Sequence, residues 1–382
     1  MKRDLYDTEH EDFRAMARAF VAKEVTPYLA SWEAAGEVDR SLYRAAGAAG
    51  LLGLGVEEEY GGSGVDDFRF HAVLNEELCR AGATSVSMNL NGFTDLIAPY
   101  FRELATPEQK ARWLPGLADG SLVAAIAMTE PGAGSDLRGI RTRAERHADG
   151  YLLNGAKTFI SNGVIADLVV VVARTGAEDG REGLSLFVVE RGMPGFERGR
   201  RLHKLGLSAQ DTAELSFTDV PVPAANLLGE EGRGMEYLKR NLPQERVSVA
   251  VTAAATMRRV LDGTIAYTRD RIVFGRPLSE LQTTRFTLAE LATDTEIAQT
   301  FTDRCVRELV AGRLTPTEAA MAKWWVTERQ QQLVSRCLQL HGGYGYMTEY
   351  SIARDFVDTR ASTLFAGTTE IMKEIIGRSL VR

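Results

Sequence analysis

The sequence predicts an α+β fold: a helical N-terminal unit, a small antiparallel β-domain and a C-terminal helical bundle, spanning 1–120, 121–230 and 231–382. Three observations predict it. The chain has 382 residues, too many for one hydrophobic core. Its hydrophobic period changes twice, from helical to strand-like near Ser121 and back to helical near Glu231. The central strand-like runs follow one another without the helices of roughly 10–15 residues that a parallel βαβ sheet requires.

In the first unit, EDFRAMARAFVAKEVTPYLASWEAA, SLYRAAGAAGLLGL and FRFHAVLNEELCRAG repeat apolar residues every three or four positions, as amphipathic helices do. EEEYGGSGVDD is a turn cluster between them. In the second unit, SLVAAIAMTE, GYLLNGAKTFISNG, DLVVVVARTG, GLSLFVVERG and AELSFTDVPVP are short and rich in β-branched and aromatic residues. Gly, Pro, Asn and Asp bound them, which suits a compact barrel or sandwich. In the third unit, Pro243 is expected in a first helical turn, opening the run QERVSVAVTAAATMRRVLDGTIAYTRDR. LSELQTTRFTLAELATDTEIAQTFTDRCVREL follows, then TPTEAAMAKWWVTERQQQLVSRCLQLHGG behind Thr315 and Pro316, then TTEIMKEIIGRSL. Long antiparallel helices of this kind pack as a bundle. Ligands favour the crevices where such units meet.

Composition excludes several classes. Apolar residues make up 45% and charged residues 25%, ordinary for a globular protein, and the net charge is −7. That balance argues against nucleic acid as the main partner, because phosphate binding wants a basic face. Cys79, Cys305 and Cys337 are far apart and odd in number, so three reduced thiols in a cytoplasmic protein are expected. The N-terminal MKRDLYDTEHEDFRAMARAF has early acidic residues and no apolar core, unlike a secretory signal. No stretch approaches roughly 18 uninterrupted apolar residues, so no membrane span is expected.

Four segments could carry chemistry. Ala127 to Asp136 reads AMTEPGAGSD after a strand. Gly132, Gly134 and Ser135 can bring backbone N–H groups close to a ligand, and Thr129 adds a hydroxyl. Read alone, the segment is equally a β-turn with a capping Ser-Asp. It is neither a Walker loop nor a Rossmann fingerprint. Lys157 to Gly163 reads KTFISNG, where Phe159 flanked by hydroxyls could stack on a flat heterocycle. Read alone, it is a strand with a core Phe. Gln339 to Gly345 reads QLHGGYG, a helix C-cap or a close backbone approach, with His341 a structural residue. Finally Glu245, in Pro243-Gln-Glu-Arg246, is expected in the first turn of an apolar helix. The helix dipole would explain an acid there. A carboxylate facing a dry cleft would instead have its pKa raised into the range of a useful base.

Together these segments resemble the acyl-CoA dehydrogenase family. TEPGAGSD, NGAKTFISNG, the FGRPL ending at Leu278, LQTTRFTLAE and QLHGGYGY stand in the family's order and spacing over nearly the whole chain. GRRLHKLGLSAQDTAELSF, LPQERVSVA and AGTTEIMKEIIGRSL are similar to its long-chain branch. The resemblance implies an N-terminal helical domain, a central antiparallel β-barrel and a C-terminal four-helix bundle. It implies non-covalent FAD, a homotetramer built as a dimer of dimers, and α,β-dehydrogenation of an acyl-CoA in fatty acid metabolism. Electrons would leave to an electron-transferring flavoprotein.

Carried over residue by residue, Met128, Thr129, Gly134 and Ser135 resemble contacts to the flavin ring and pyrophosphate, and Ser135 also a substrate contact. Phe159 matches the aromatic beside the isoalloxazine and Ser161 the hydroxyl near flavin N5. Arg271, Phe274 and Gln282 look like a set contributed by a neighbouring subunit. Gln339, Gly342 and Gly343 resemble contacts to the adenylate half. Thr368 and Glu370 lie where the last helix meets FAD. Most of the family carries its catalytic glutamate near the C-terminus, where this chain reads Leu364-Phe365-Ala366-Gly367-Thr368. Ala366 cannot accept a proton, but its N–H could still bond the thioester oxygen beside Gly367. Glu245 matches the alternative position used by the isovaleryl and long-chain branches. The resemblance thus implies that Glu245 takes the α-proton while the β-hydride passes to flavin N5. Arg246 either orients Glu245 or contacts CoA. An oxidase or flavin oxygenase on the same fold stays open, as does an unusual acyl-CoA or a thioester of acyl-carrier protein. Pocket depth is expected to depend on residues Leu90 to Tyr100 and on the helix after Glu245.

Overall fold

A computed structural model describes residues 3–176 and 182–381. Seven helices come first: α1 (Thr8–Phe20), α2 (Leu29–Ala35), α3 (Ser41–Ala48), α4 (Phe68–Arg80), α5 (Thr84–Asn91), α6 (Ala98–Leu104) and α7 (Pro107–Ala118). A π-helical turn, Gly92–Ile97, joins α5 to α6. The strands follow: β1 (Ala124–Ala127), β2 (Arg143–His147), β3 (Gly150–Ser161), β4 (Leu168–Gly176), β5 (Glu182–Glu190), β6 (Phe196–Arg201), β7 (Thr212–Pro223) and β8 (Leu227–Leu228). Then come α8 (Gly234–Asp270), the short β9 (Ile272–Val273) and β10 (Arg276–Pro277), α9 (Gln282–Val310), α10 (Pro316–His341), α11 (Ser351–Arg360) and α12 (Thr369–Leu380). The helix–sheet–helix order read from the hydrophobic period is the observed one.

The sheet runs β6-β7-β3-β2-β4-β5-β8, with β1 added on β4. Most pairs are antiparallel, but β1 lies parallel to β4, from Ala124 opposite Leu168 to Ala127 opposite Val171. The β2–β3 hairpin intervenes in the chain and serves as the crossover that a parallel pair needs. Both faces of β4 are buried, which explains its unbroken valine run. Val169 and Val171 point into the β-domain's own core with Phe187, Leu215 and Phe217. Leu168, Val170 and Val172 point the other way, into a core shared with Trp113, Leu114 and Phe101 of the N-terminal helices. Each such valine stabilises by roughly 1.5 kcal/mol or more, so the β-domain and the helices are locked face to face.

The C-terminal helices pack around a third core, where Val247, Val251 and Met257 of α8 meet Leu291 of α9 and Val326 and Leu333 of α10. Thr315 caps α10 as anticipated: its hydroxyl accepts from the Glu318 N–H, and Glu318 accepts from the Thr315 N–H. The start of α8 differs from the expectation. The helix begins at Gly234, and Pro243 lies inside it. Pro243 has no N–H for the Lys239 carbonyl, yet tertiary packing carries the helix through. Glu245 therefore sits about three turns in, and the helix dipole does not account for an acid there. Helix α11 had no counterpart in the hydrophobic pattern. Its buried face is Ile352, Asp355, Asp358 and Thr359, mostly polar, so hydrophobic periodicity is silent. Cys79, Cys305 and Cys337 are free and buried. Among the described residues no helix is long and apolar enough to cross a membrane.

Candidate active site

Three clusters of sequence-flagged residues emerge. The first lies at the end of the β-domain. β1 delivers Met128 and Thr129 to the bulged part of β3, where the Thr158 N–H donates to the Thr129 carbonyl at 3.0 Å. The Glu130 and Ala133 backbones pair across the tight Gly-rich turn. Glu130 holds that turn: its carboxylate accepts from Lys157 Nζ (2.8 Å) and from the N–H groups of Arg141 (2.7 Å) and Thr142 (2.9 Å). Lys157 Nζ also donates to the Met128 carbonyl at 3.0 Å. Burial would push Glu130 up, but these donors outweigh it and hold the carboxyl below its usual range. Beyond the turn, Gly134 and Ser135 are exposed. A Cβ built on Gly132 would meet nothing within 4 Å, so open space borders the loop.

Phe159 corrects the reading of a core aromatic. It is 67% exposed and has a φ of 59°, a conformation costly for a bulky residue. The register slip between Lys157 and Ile160 on β7 produces it, turning the ring out of the sheet. Ser161, opposite Thr212, is exposed on the same bulged strand.

The second cluster lies at the far end of α8 and α10. A groove of about 580 Å³ is lined by Arg271, Gln339, Gly342 and Gly343, with Tyr267 and Tyr344. The Arg271 guanidinium stands 5.2 Å from the Tyr344 ring centre. Cβ atoms on Gly342 or Gly343 would meet nothing within 4 Å. Phe274 and Gln282 do not join this groove. Both are exposed; Phe274 is 94% so, at a φ of 49° in the β9–β10 turn.

The third cluster surrounds Glu245. Its Oε2 is sealed from solvent without a hydrogen-bond partner, although the residue as a whole is only half-buried. Burial pushes the carboxyl up to about 7, against the opposing pull of Arg246 and Lys323. Asn241 Nδ2, one turn earlier on α8, is another buried unpartnered atom, as are Arg246 Nε and the Tyr100 hydroxyl. Tyr100 feels burial first and the Glu245 charge second, both raising its pKa, so α6 faces the carboxylate. The Gln244 amide donates to the Asp95 carbonyl at 2.8 Å, tying this turn of α8 to the π-helical turn. Ala366, with a φ of 55°, and Gly367, with a φ of 91°, form a left-handed turn before α12. The Gly367 carbonyl accepts from Lys323 Nζ at 2.7 Å. Thr368 caps α12, and Glu370 is exposed in its first turn.

Of the stretch expected to shape the pocket, Leu90 is fully buried in the N-terminal core, while Tyr100 at its other end faces Glu245. A separate small cavity of about 20 Å³ is lined by Thr84 and Met88 of α5, Val249, Thr252 and Ala253 of α8, and Phe365. Sequence reasoning gave no role to Lys323, Asn241 or Lys157, and named Tyr100 only as the end of a stretch shaping the pocket. Two signals existed. Lys157 shares the inward parity of Tyr151 and Leu153 on β3, and Lys323 falls in the seam of Ala319, Val326, Gln330 and Leu333 on α10. A cation in an apolar seam marks a buried charge.

Unpartnered buried polar atoms, glycine-lined open space and an outward aromatic at a bulge are the kinds of group that can receive a ligand with a flat ring and phosphates. The fold is thus of helix–sheet–helix build, with ligand-accepting surfaces on the β-domain and along α8 and α10. Family models described as the N-terminal, middle and C-terminal domains of acyl-CoA dehydrogenase match residues 7–121, 125–220 and 232–381. The chain belongs to the acyl-CoA dehydrogenase family, whose members bind FAD. It is 45% identical over 381 residues to the mitochondrial long-chain specific acyl-CoA dehydrogenase of Rattus norvegicus, covering 99% of this chain and 88% of the relative. The crystal structure of an acyl-CoA dehydrogenase from Geobacillus kaustophilus superposes with a TM-score of 0.95 at 47% identity, over 99% of this chain and 100% of that one. A glutaryl-CoA dehydrogenase from Mycobacterium smegmatis, solved with FADH2, matches at 0.90 and 29%, over 98% and 95%. A structure titled for the electron transferring flavoprotein of Acidaminococcus fermentans matches at 0.93 and 33%, over 100% of both chains.

Proposed function

We propose that the protein removes the α-proton of an acyl-CoA thioester with Glu245 and yields the trans-2-enoyl thioester. The observation that carries this reading is the Glu245 carboxylate: buried, unpartnered and shifted to about 7. A thioester α-proton is weakly acidic, so its removal needs a base that titrates near working pH and a donor for the developing enolate oxygen. The Ala366 N–H is assigned as that donor, with Gly367 and Arg246 against the thioester and CoA. Ala366 carries no carboxylate, so it leaves the base role to Glu245. Water exclusion by Tyr100 and the α8 face strengthens both interactions.

FAD, when bound, supplies the electron acceptor for the β-carbon. Met128, Thr129, Gly134, Ser135, Phe159 and Ser161 would hold its ring and pyrophosphate, and Thr368 and Glu370 would border it at the start of α12. Arg271, Gln339, Gly342 and Gly343 would hold the adenylate end. Phe274 and Gln282 face outward, which fits donation to FAD in a second copy of the chain. Exposed Phe274, Phe286 and Tyr346, at 94%, 59% and 82%, would be covered in a homotetramer. We assign an electron-transferring flavoprotein as acceptor and saturated fatty acyl-CoA as substrate.

Anaerobic titration with saturated acyl-CoA thioesters of increasing length tests this. Flavin absorbance should bleach with at least one length, and Glu245→Gln should keep its FAD but fail to bleach. Undiminished bleaching by the variant would remove Glu245 from the role.

A further inference from the structure

Lys323 is a buried cation to which the proton transfer assigns no role. Its side chain is wholly enclosed in the α10 seam between Ala319 and Val326. An enclosed ammonium needs partners. Its ammonium donates to the Gly367 carbonyl at 2.7 Å. That carbonyl belongs to a turn in which Ala366 holds a φ of 55°, outside the range a residue with a Cβ prefers. α10 grips the same segment a second time: the Thr369 hydroxyl donates to Glu328 at 2.7 Å. The charged groups that act on Lys323 are Arg246 and Glu245 on α8, Glu328 on its own helix and Glu370 on α12. Burial first, then Arg246, pulls it down to about 8, so it is still largely protonated at neutral pH. Around Glu245 the acting charges are Arg246 and Lys323, with the Tyr100 hydroxyl facing it from α6.

We propose that Lys323 is a positioning residue: it clamps the Ala366–Gly367 turn in its left-handed shape and holds a positive charge within electrostatic reach of Glu245. This rests on Glu245 and the Ala366 N–H serving the thioester as described above. One side chain thereby couples the two halves of the site, the turn that meets the enolate oxygen and the carboxylate that takes the proton.

The test compares FAD-loaded wild type with Lys323→Met, Lys323→Arg and Lys323→Gln. Acetoacetyl-CoA, an acidic thioester, is the binding probe, read by flavin absorbance changes, and the pH dependence of kcat/KM is the second readout. Lys323→Met should bind the probe at least about tenfold more weakly, the equivalent of one charge-assisted hydrogen bond. Its acid limb should move up by about one pH unit. Lys323→Arg should restore both. Lys323→Gln, a neutral donor, should keep probe binding and shift only the acid limb. It also decides the charge role if the Met variant does not fold. An FAD-loaded Met variant with unchanged affinity and unchanged limb overturns the proposal, and so does an unshifted limb in Lys323→Gln. Glu245→Gln measured alongside separates the two claims. If that variant turns over normally the base assignment fails, while probe affinity still reports whether Lys323 holds the turn.

Discussion

Glu130, which is buried, and Glu245, half-buried with one sealed oxygen, have opposite fates. Glu130 sits under the Gly-rich turn with an ammonium and two backbone N–H groups aimed at it, and its carboxyl is held below its ordinary value. Glu245 sits on α8 with a sealed oxygen that nothing bonds, and burial lifts its carboxyl to about 7. A satisfied carboxylate is inert scaffolding. An unsatisfied one stores a preference for a proton and can be used to move one. The protein accepts an unfavourable group at position 245 because the packing of α8 against α6 and α10 over-determines it.

The comparison can be broken most sharply at Glu245. Glu245→Gln should lower turnover by roughly 10²–10⁴-fold, the usual contribution of a general base, with melting temperature maintained. Steady-state rates and thermal unfolding on one preparation check this. Glu130→Gln should do the reverse, leaving Lys157 buried without its counter-charge and costing about 3 kcal/mol of stability. Urea unfolding would show it, and Glu130→Gln combined with Lys157→Met should recover part of the loss.

Next in size is an opposite dependence on pH. A raised carboxyl favours the folded state only while it keeps its proton. The Glu245 contribution is therefore fully present below its unfolded value of 4.5 and is lost as pH climbs to about 7. The Glu130 contribution has the other sign, present above 4.5 and lost as pH falls through its lowered folded value. Stability measured from pH 4.5 to 7 should gain a more positive slope in Glu245→Gln and not in Glu130→Gln. Activity should follow the base: kcat/KM should rise with pH through about 7. The smallest expected change is in Arg246→Gln. Losing the stronger of the two opposing cations should move that rise upward by roughly one unit or less. A downward shift would break the electrostatic account of Glu245.

Much of this was legible in the chain. The switch from period 3.6 to period 2 and back, the doubly buried valine run of β4 and the Thr315–Glu318 cap all reflect local rules that act over a few residues. The Gly-rich turn could be singled out for the same reason, and Glu245 through the family resemblance, although its expected place at a helix start was wrong. The conformation of Phe159 could not, since its outward turn comes from a register slip against β7, a strand more than fifty residues away. Pro243 read as a helix start because proline's local cost is real; only the packing of α8 shows it being overridden. The mostly polar buried face of α11 gave hydrophobicity nothing to count.

By itself, then, the sequence determined the three-part order, the elements and the residue types available for chemistry, because propensity and hydrophobic period are properties of neighbours along the chain. Tertiary structure alone decided which charges were satisfied. Glu130 found Lys157, Glu245 found no hydrogen-bonding partner, and Lys323 reached the carbonyl of Gly367. Solvation and pairing depend on what surrounds a group in space, and only folding brings those surroundings together.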